Sequence, residues 1–267
     1  MCLKVYNGTS SRRIISDLEL CKRIGYIEKI PHFNTLLHYF KNGLITKDLK
    51  YLIRLSSLPL AQLERKFAID STGIAERKYL PRWSHVRGKT YHTRSYKKIH
   101  AIVGTLSNVV VSVWISQGNK HDSPYFKKLL EDAAKRFQIE EISADLAYSS
   151  IENINKAHEL NVNPYIPFKS NVTGKRRGSV HWQNAFFFFK NNPEEFYKHY
   201  HIRSNVESAF FMIKQRFRDF AYTKNYTSQI NEILCKILCH NIIVLIQEIF
   251  LSNLDIDFKE CRKRIAQ

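Results

Sequence analysis

Hydrophobic and polar positions change rhythm twice along the 267 residues. Residues 15–66 recur at helical spacing through SDLELCKRIG, PHFNTLLHYFKNG and TKDLKYLIRLSSLPLAQLERK, with few strand signals. Asn42-Gly43 marks a turn in this stretch, and Thr46 is the expected cap of the helix that follows. At Phe67 the texture becomes β-like. FAIDST is a short apolar run closing on Asp70, and HAIVGTL (100–106) and VVVSVWIS (109–116) flank Ser107-Asn108 as a hairpin. HDSPYFKKLLEDAAKRF then reads as a helix capped by Asp122 or Ser123, with Pro124 in its first turn. EEISADLAY (140–148) predicts a strand ending in Asp145, SSIENINKAHELN a helix, and NPYIPF (163–168) a short strand. A basic loop, KSNVTGKRRG (169–178), and an aromatic segment from His181 lead into a helix carrying Glu207. The order is helices, strand, hairpin, helix, strand, helix, strand, helices, which predicts an α/β layered domain behind a helical N-terminal portion.

The helix around Glu207 carries two stripes. Measured from Tyr200, Arg203, Glu207 and Lys214 project to roughly 300°, 340° and 320° at about 100° per residue, one face about 60° wide. Ile202, Val206, Phe210, Ile213 and Phe217 form an adjoining apolar band suited to a core. Spacing alone leaves two readings of the polar stripe open. Arg203 and Glu207 are either a surface i, i+4 ion pair or part of a site at the edge of the core.

Composition narrows the partners. Lys and Arg number 42 against 24 acids, a formal charge of +18, and 44% of the residues are hydrophobic. A chain of this kind buries a core and carries the electrostatic footprint of a polyanion-binding protein, most often one for nucleic acid. The most apolar stretch, Ile230–Leu251, is interrupted by Glu232, Lys236 and His240 and reads as a buried closing helix, not a membrane span. The N-terminus lacks the continuous apolar stretch of a signal peptide. Five scattered cysteines suit a reducing cytoplasm, and Cys235 and Cys239 are read as small apolar groups on a helix face, in preference to metal ligands.

Asp70 and Asp145 each close an apolar strand, and each could instead cap the turn behind it. With Glu207 they make a D…D…E set. Hard oxygen donors in a very basic protein favour Mg²⁺ or Mn²⁺, and two such ions about 3.5–4 Å apart suit phosphodiester chemistry. The nearby Arg and Lys answer phosphate charge.

These motifs resemble those of bacterial and archaeal insertion-sequence transposases of the DDE class, the group with a YREK signature. The matches are FAIDSTG, SADLAYSS and Tyr200, Arg203, Glu207 and Lys214 at the signature's spacing, with weaker likeness through KKIHAIVGTLSNVVVSVWISQGNKHDSPYFKKLL and INEILCKILCHNI. The resemblance runs from about residue 60 to 250. It implies an α/β ribonuclease-H-like (retroviral-integrase-like) fold with a mixed sheet flanked by helices. It also implies cleavage at transposon ends with strand transfer into target DNA, dependent on Mg²⁺ in a two-metal site where Mn²⁺ can substitute. Asp70, Asp145 and Glu207 would be catalytic metal ligands, and Tyr200, Arg203 and Lys214 would grip phosphates. Double-stranded DNA would be the partner, met by a homodimer, in the cytoplasm of a prokaryote at the nucleoid. The expected division is a helical region 1–66, a catalytic domain 67–252 and a basic tail 253–267. The interval between Asp145 and Glu207 leaves no room for the long β-domain that some relatives insert there. The region ahead of the core is shorter than many relatives carry for recognising inverted repeats, the pattern of a short or N-terminally truncated copy.

Further candidates are Lys175, Arg176 and Arg177 as a backbone-contacting patch, and Trp182 as a platform for an unpaired base, set against a core role for the same ring. Arg82, Arg87, Lys89, Arg94, Lys97 and Lys98 form a second basic tract, and Asp122 either caps its helix or assists the site. The alternatives to a transposase are a stand-alone nuclease of the same fold and a catalytically silent, transposase-derived DNA-binding protein.

Overall fold

The computed structural model describes residues 1–76, 96–175, 178–252 and 256–266. Arg82, Arg87, Lys89, Arg94, Arg176 and Arg177, and part of the basic tail, therefore lie outside the described residues.

Four helices open the chain: α1 (Cys2–Asn7), α2 (Ile14–Arg23), α3 (Phe33–Lys41) and α4 (Gly43–Ser57). The turn at Asn42-Gly43 is where the sequence places it, but the cap is Asn42, whose side chain accepts from the Leu44 N–H at 2.9 Å. Thr46 instead donates its hydroxyl to Asn231 at 2.6 Å, because it already lies inside the first turn.

Among the described residues, six strands form one mixed sheet in the order β3 (Val110–Gln117), β2 (Tyr96–Gly104), β1 (Lys66–Glu76), β4 (Glu141–Ala144), β5 (Asn163–Tyr165), with β6 (Phe220–Ala221) added beside the end of β1. β1, β2 and β3 run antiparallel, whereas β4 and β5 run parallel to β1. The predicted hairpin turn is present, with Asn108 at φ 65°, a left-handed conformation that Asn tolerates. The fold is the α/β, ribonuclease-H-like arrangement expected, a mixed sheet flanked by helices.

Alternation along β1 divides the core. Phe67 and Ile69 face α5 (Ser123–Ala134), α6 (Ile151–Glu159) and α7 (Val180–Asn191) through Phe126, Leu130, Ile154 and Phe186. Ala68 and Ile74 face the other layer, built from α9 (Ser204–Phe217), α10 (Tyr226–Ser252) and the opening helices, with Phe40, Leu49, Ile53, Phe210 and Ile233. Each wholly buried Phe or Ile in these layers contributes about 1.5–3 kcal/mol by leaving water. α8 (Pro193–Tyr200) precedes α9, and α11 (Phe258–Ala266) follows α10. α10 is long and apolar enough to cross a membrane by length and composition alone, but most of its apolar window is buried inside the molecule. It is the closing core helix that the sequence predicts. Cys235 and Cys239 pack in that core, and His240 bonds through Nε2 to the Asn108 carbonyl at 2.9 Å.

Two strand ends differ from expectation. Asp70 lies in the middle of β1, which continues to Glu76, because pairing with β2 runs the whole length while the side chains turn polar. β4 stops at Ala144, since Asp145 caps a 3₁₀ turn, Leu146–Tyr148, through its own side chain.

Candidate active site

Register brings the two aspartates together. The β1–β4 pairing ends with Ile69 opposite Ala144, so the next residues, Asp70 and Asp145, are neighbours where β4 stops and β1 runs on. By alternation Asp70 shares the face of Ala68, the side on which α9 packs through Val206, Ala209 and Phe210. Ser143, two residues before Asp145, turns the same way and donates to the His199 carbonyl at 3.1 Å. Asn205 fixes the start of α9 to the hairpin by donating to the Thr105 carbonyl at 2.6 Å.

Tyr200 and Arg203 do not share a continuous helix with Glu207. Tyr200 ends α8, a 3₁₀ turn spans His201–Arg203, and α9 begins at Ser204. The tighter turn alters the angular projection assumed for an unbroken helix. The residues still converge, because the Arg203 side chain is long enough to link them. Its guanidinium donates to Asp70 Oδ2 and to Glu207 Oε1, both at 2.7 Å. It also lies 5.8 Å from the Tyr200 ring centre. The ion pair read at i, i+4 therefore exists, and the same guanidinium ties it to Asp70.

Each acid is partly committed. Asp70 Oδ1 accepts from Ser71 N–H at 2.7 Å, and Asp145 Oδ1 accepts from Leu146 N–H at 2.6 Å. The second oxygens of Asp145 and Glu207 accept no hydrogen bond among the described residues. Burial raises the Asp70 carboxyl above its ordinary range, and the charges of Asp145 and Glu207 add to this against Arg203 and the Ser71 N–H. Burial likewise lifts the Tyr200 phenol, Arg203 opposing while Asp145 and Asp70 reinforce the rise. Among the described residues no three acidic, His or Cys side chains are spaced as they stand to hold a metal ion. The donor chemistry nonetheless suits a hard divalent cation: three carboxylates, two with uncommitted oxygens, around the site now crossed by a guanidinium.

Lys214 lies seven residues beyond Glu207, about 10 Å along α9 on the same face, and is half-buried. Lys175 is exposed in the loop before α7. Trp182 does not meet the expectation of a base platform. It is 4% exposed and packs edge-on to Phe168 at 4.8 Å, so neither ring face is open to a base. Lys97 and Lys98 of the basic tract are likewise turned inward, to Glu76 at 2.5 Å and Asp122 at 2.8 Å.

Asp122 has the right position for a cap but makes no side-chain cap bond. It pairs with Lys98 and lies 3.2 Å from His100 Nδ1. Sequence reading missed Tyr148, which is wholly buried. Its phenol is raised by burial and then by the charges of Asp122, Asp70 and Asp145, and its ring packs against Phe126. The available signal was its place three residues after Asp145, since i and i+3 eclipse in a 3₁₀ turn.

His100 yields a prediction. It is wholly enclosed, 2.8 Å from Ser116 Oγ and stacked on Tyr125. Burial pulls its pKa down to about 4, with Asp122 opposing and Lys98 reinforcing. The unfolded chain thus binds more protons between about pH 6.5 and 4, so stability is full above that window and is lost as pH falls through it. Wild-type thermal midpoints are expected to drop more steeply from pH 7 to 4.5 than those of His100→Gln. Parallel slopes would refute this.

A family model described as the transposase DDE domain matches residues 61–242. No curated protein matches the chain. A similar solved structure is the intasome of simian T-cell lymphotropic virus in complex with the PP2A regulatory subunit B56 gamma, at 14% identity and a TM-score of 0.28. The likeness covers 57% of this chain and 48% of that one, so this chain spans about half the length of that relative.

Proposed function

The chain belongs to the transposase DDE domain family, and from that premise we propose that it cleaves DNA at the ends of a mobile element and joins the freed ends to target DNA. The observation that carries this reading is that Arg203 ties Asp70 to Glu207 while the β1–β4 register sets Asp145 beside Asp70 where β4 ends. Asp70, Asp145 and Glu207 would hold Mg²⁺, which supplies Lewis-acid activation of an attacking oxygen and neutralises charge on the leaving one. The chain's own part is positional. Tyr200 and Arg203 lie beside the carboxylates and Lys214 follows along α9, so a phosphodiester entering over α9 meets two cations and a phenol before the acids. Arg203 suits bidentate contact with a phosphate, and Lys214 suits a point contact. DNA is the partner, and the two strand ends of an element call for two copies of the chain acting together.

The test uses supercoiled plasmid carrying the element's own flanking sequence, incubated with the protein in Mg²⁺, Mn²⁺ or chelator. Cation-dependent nicks at the element boundary together with joined products are expected. Nicking without any joined product would assign a stand-alone nuclease. Binding of the plasmid without nicking in either cation would assign a silent DNA-binding descendant.

A further inference from the structure

Away from the carboxylates, a pocket of about 430 Å³ opens where the end of α1, the end of α9, the Tyr222–Thr223 bend and α10 meet. Lys4, Arg216, Arg218 and Lys236 line it against one carboxylate, Glu232. That carboxylate is already engaged. Its oxygens accept from the Tyr222 and Thr223 N–H groups at 2.9 Å, and the Lys236 ammonium lies 4.0 Å away. Arg216 donates to the Tyr6 hydroxyl at 2.7 Å, and Arg218 lies over the Phe220 and Tyr222 rings. Among the described residues neither arginine forms an ion pair, so positive charge dominates the pocket.

Two further observations point to a ligand there. The hydroxyls of Thr9 and Thr223 line the same pocket, buried and without a hydrogen-bond partner, a condition that buried polar groups rarely keep. Neither oxygen is exposed to the pocket as the side chains stand, so an anion there would accept from them only after those side chains turn. Arg218, moreover, holds φ 70° and ψ 154°, a region almost confined to glycine. Its carbonyl is clamped by Lys236 Nζ at 3.2 Å, which also reaches the Phe220 carbonyl at 2.6 Å. Burial holds that ammonium down to about 8, against the charges of Glu232 and Asp219 and with that of Arg218. A strained backbone bearing a charged side chain into a basic pocket is the pattern of a ligand clamp.

We propose that this pocket is a second phosphate site, which holds the sugar–phosphate backbone of a nucleic-acid strand beyond the carboxylate centre, with Arg218 as its anchoring cation. Arg216 lies nine residues past Glu207, about 13–14 Å along α9 but half a turn round it, so a strand crossing the acids would pass Lys214 and wrap the C-terminal end of α9 to reach the pocket. The inference rests on the DNA reading proposed above, and its test separates the two.

Fluorescence anisotropy of the full chain with a labelled duplex, at several KCl concentrations, would compare wild type with Arg218→Ala and Arg218→Gly. Both variants are expected to bind about five- to tenfold more weakly and to lower the slope of log affinity against log salt by about one. Arg218→Gly should also keep or raise the thermal midpoint, because glycine relaxes the strained turn while deleting the charge. Wild-type affinity and slope in Arg218→Gly would overturn the pocket assignment and leave the DNA reading standing. No duplex binding by wild type would overturn both. Adenosine monophosphate bound more tightly than duplex, in an Arg218-dependent way, would make the ligand a free nucleotide and overturn the strand assignment. Inorganic phosphate, used as competitor, should displace duplex only weakly.

Discussion

Asp145→Asn is expected to lower cation-dependent nicking at an element's boundary by at least about 10³-fold, the scale on which loss of a group acting in the transition state shows. The substitution is nearly isosteric, and the Asn side-chain oxygen can still accept from the Leu146 N–H that Asp145 now caps. The 3₁₀ turn and the fold should persist, and duplex binding should stay within about twofold of wild type, because removing one negative charge does not weaken attraction to phosphates. Glu207→Gln should behave alike, since its pair with Arg203 is largely exposed and contributes little to stability. Gel-resolved nicking alongside anisotropy and circular dichroism checks each clause. Cation-dependent nicking retained in either variant would sink the assignment of the acids.

The second large effect concerns stability. Asn241 is wholly buried, and its side chain acts as a surrogate strand for Val110 on β3, the edge of the sheet. Oδ1 accepts from the Val110 N–H at 2.9 Å, and Nδ2 donates to the Val110 carbonyl at 2.8 Å and the Ile53 carbonyl at 3.3 Å. Asn241→Ala strands a buried donor and a buried acceptor at about 1–3 kcal/mol each. A total near 3 kcal/mol lowers the thermal midpoint of a domain this size by roughly 6–12 °C. A fall of less than about 2 °C in differential scanning calorimetry would show that α10 and β3 do not depend on this clamp.

Element types were legible where side-chain pattern and backbone pairing agree. The hairpin, α5, α6 and α10 follow directly from apolar spacing and turn residues. Asp-Ser-Thr-Gly after Asp70 reads as a turn, whereas β1 persists through backbone pairing to β2 that no side-chain pattern reveals. β6 is two residues long and pairs beside the end of β1, too short to leave a period. For the candidate site, spacing placed Glu207 on a helix with an apolar flank, and Val206, Phe210, Ile213 and Phe217 are buried as expected. Spacing could not foresee that Arg203 sits in a 3₁₀ turn, nor that one guanidinium joins two acids distant in sequence. Trp182 shows the converse difficulty. An aromatic beside a basic loop has the same sequence signature whether it faces a base or Phe168, and only packing distinguishes them.

The parallel register of β1 and β4 has a consequence for the newly made chain. Its three acids come from a strand, a strand end and a helix late in the chain, so a partial chain that stops short of Glu207 lacks the set. A one-residue slip in β1 would turn Asp70 to the opposite face of the sheet. Pairing distant segments is also a late and slow event in folding. On the function proposed above, a nascent chain that stops short of Glu207 or a misregistered copy would lack the assembled acid set and would leave the DNA around it uncut.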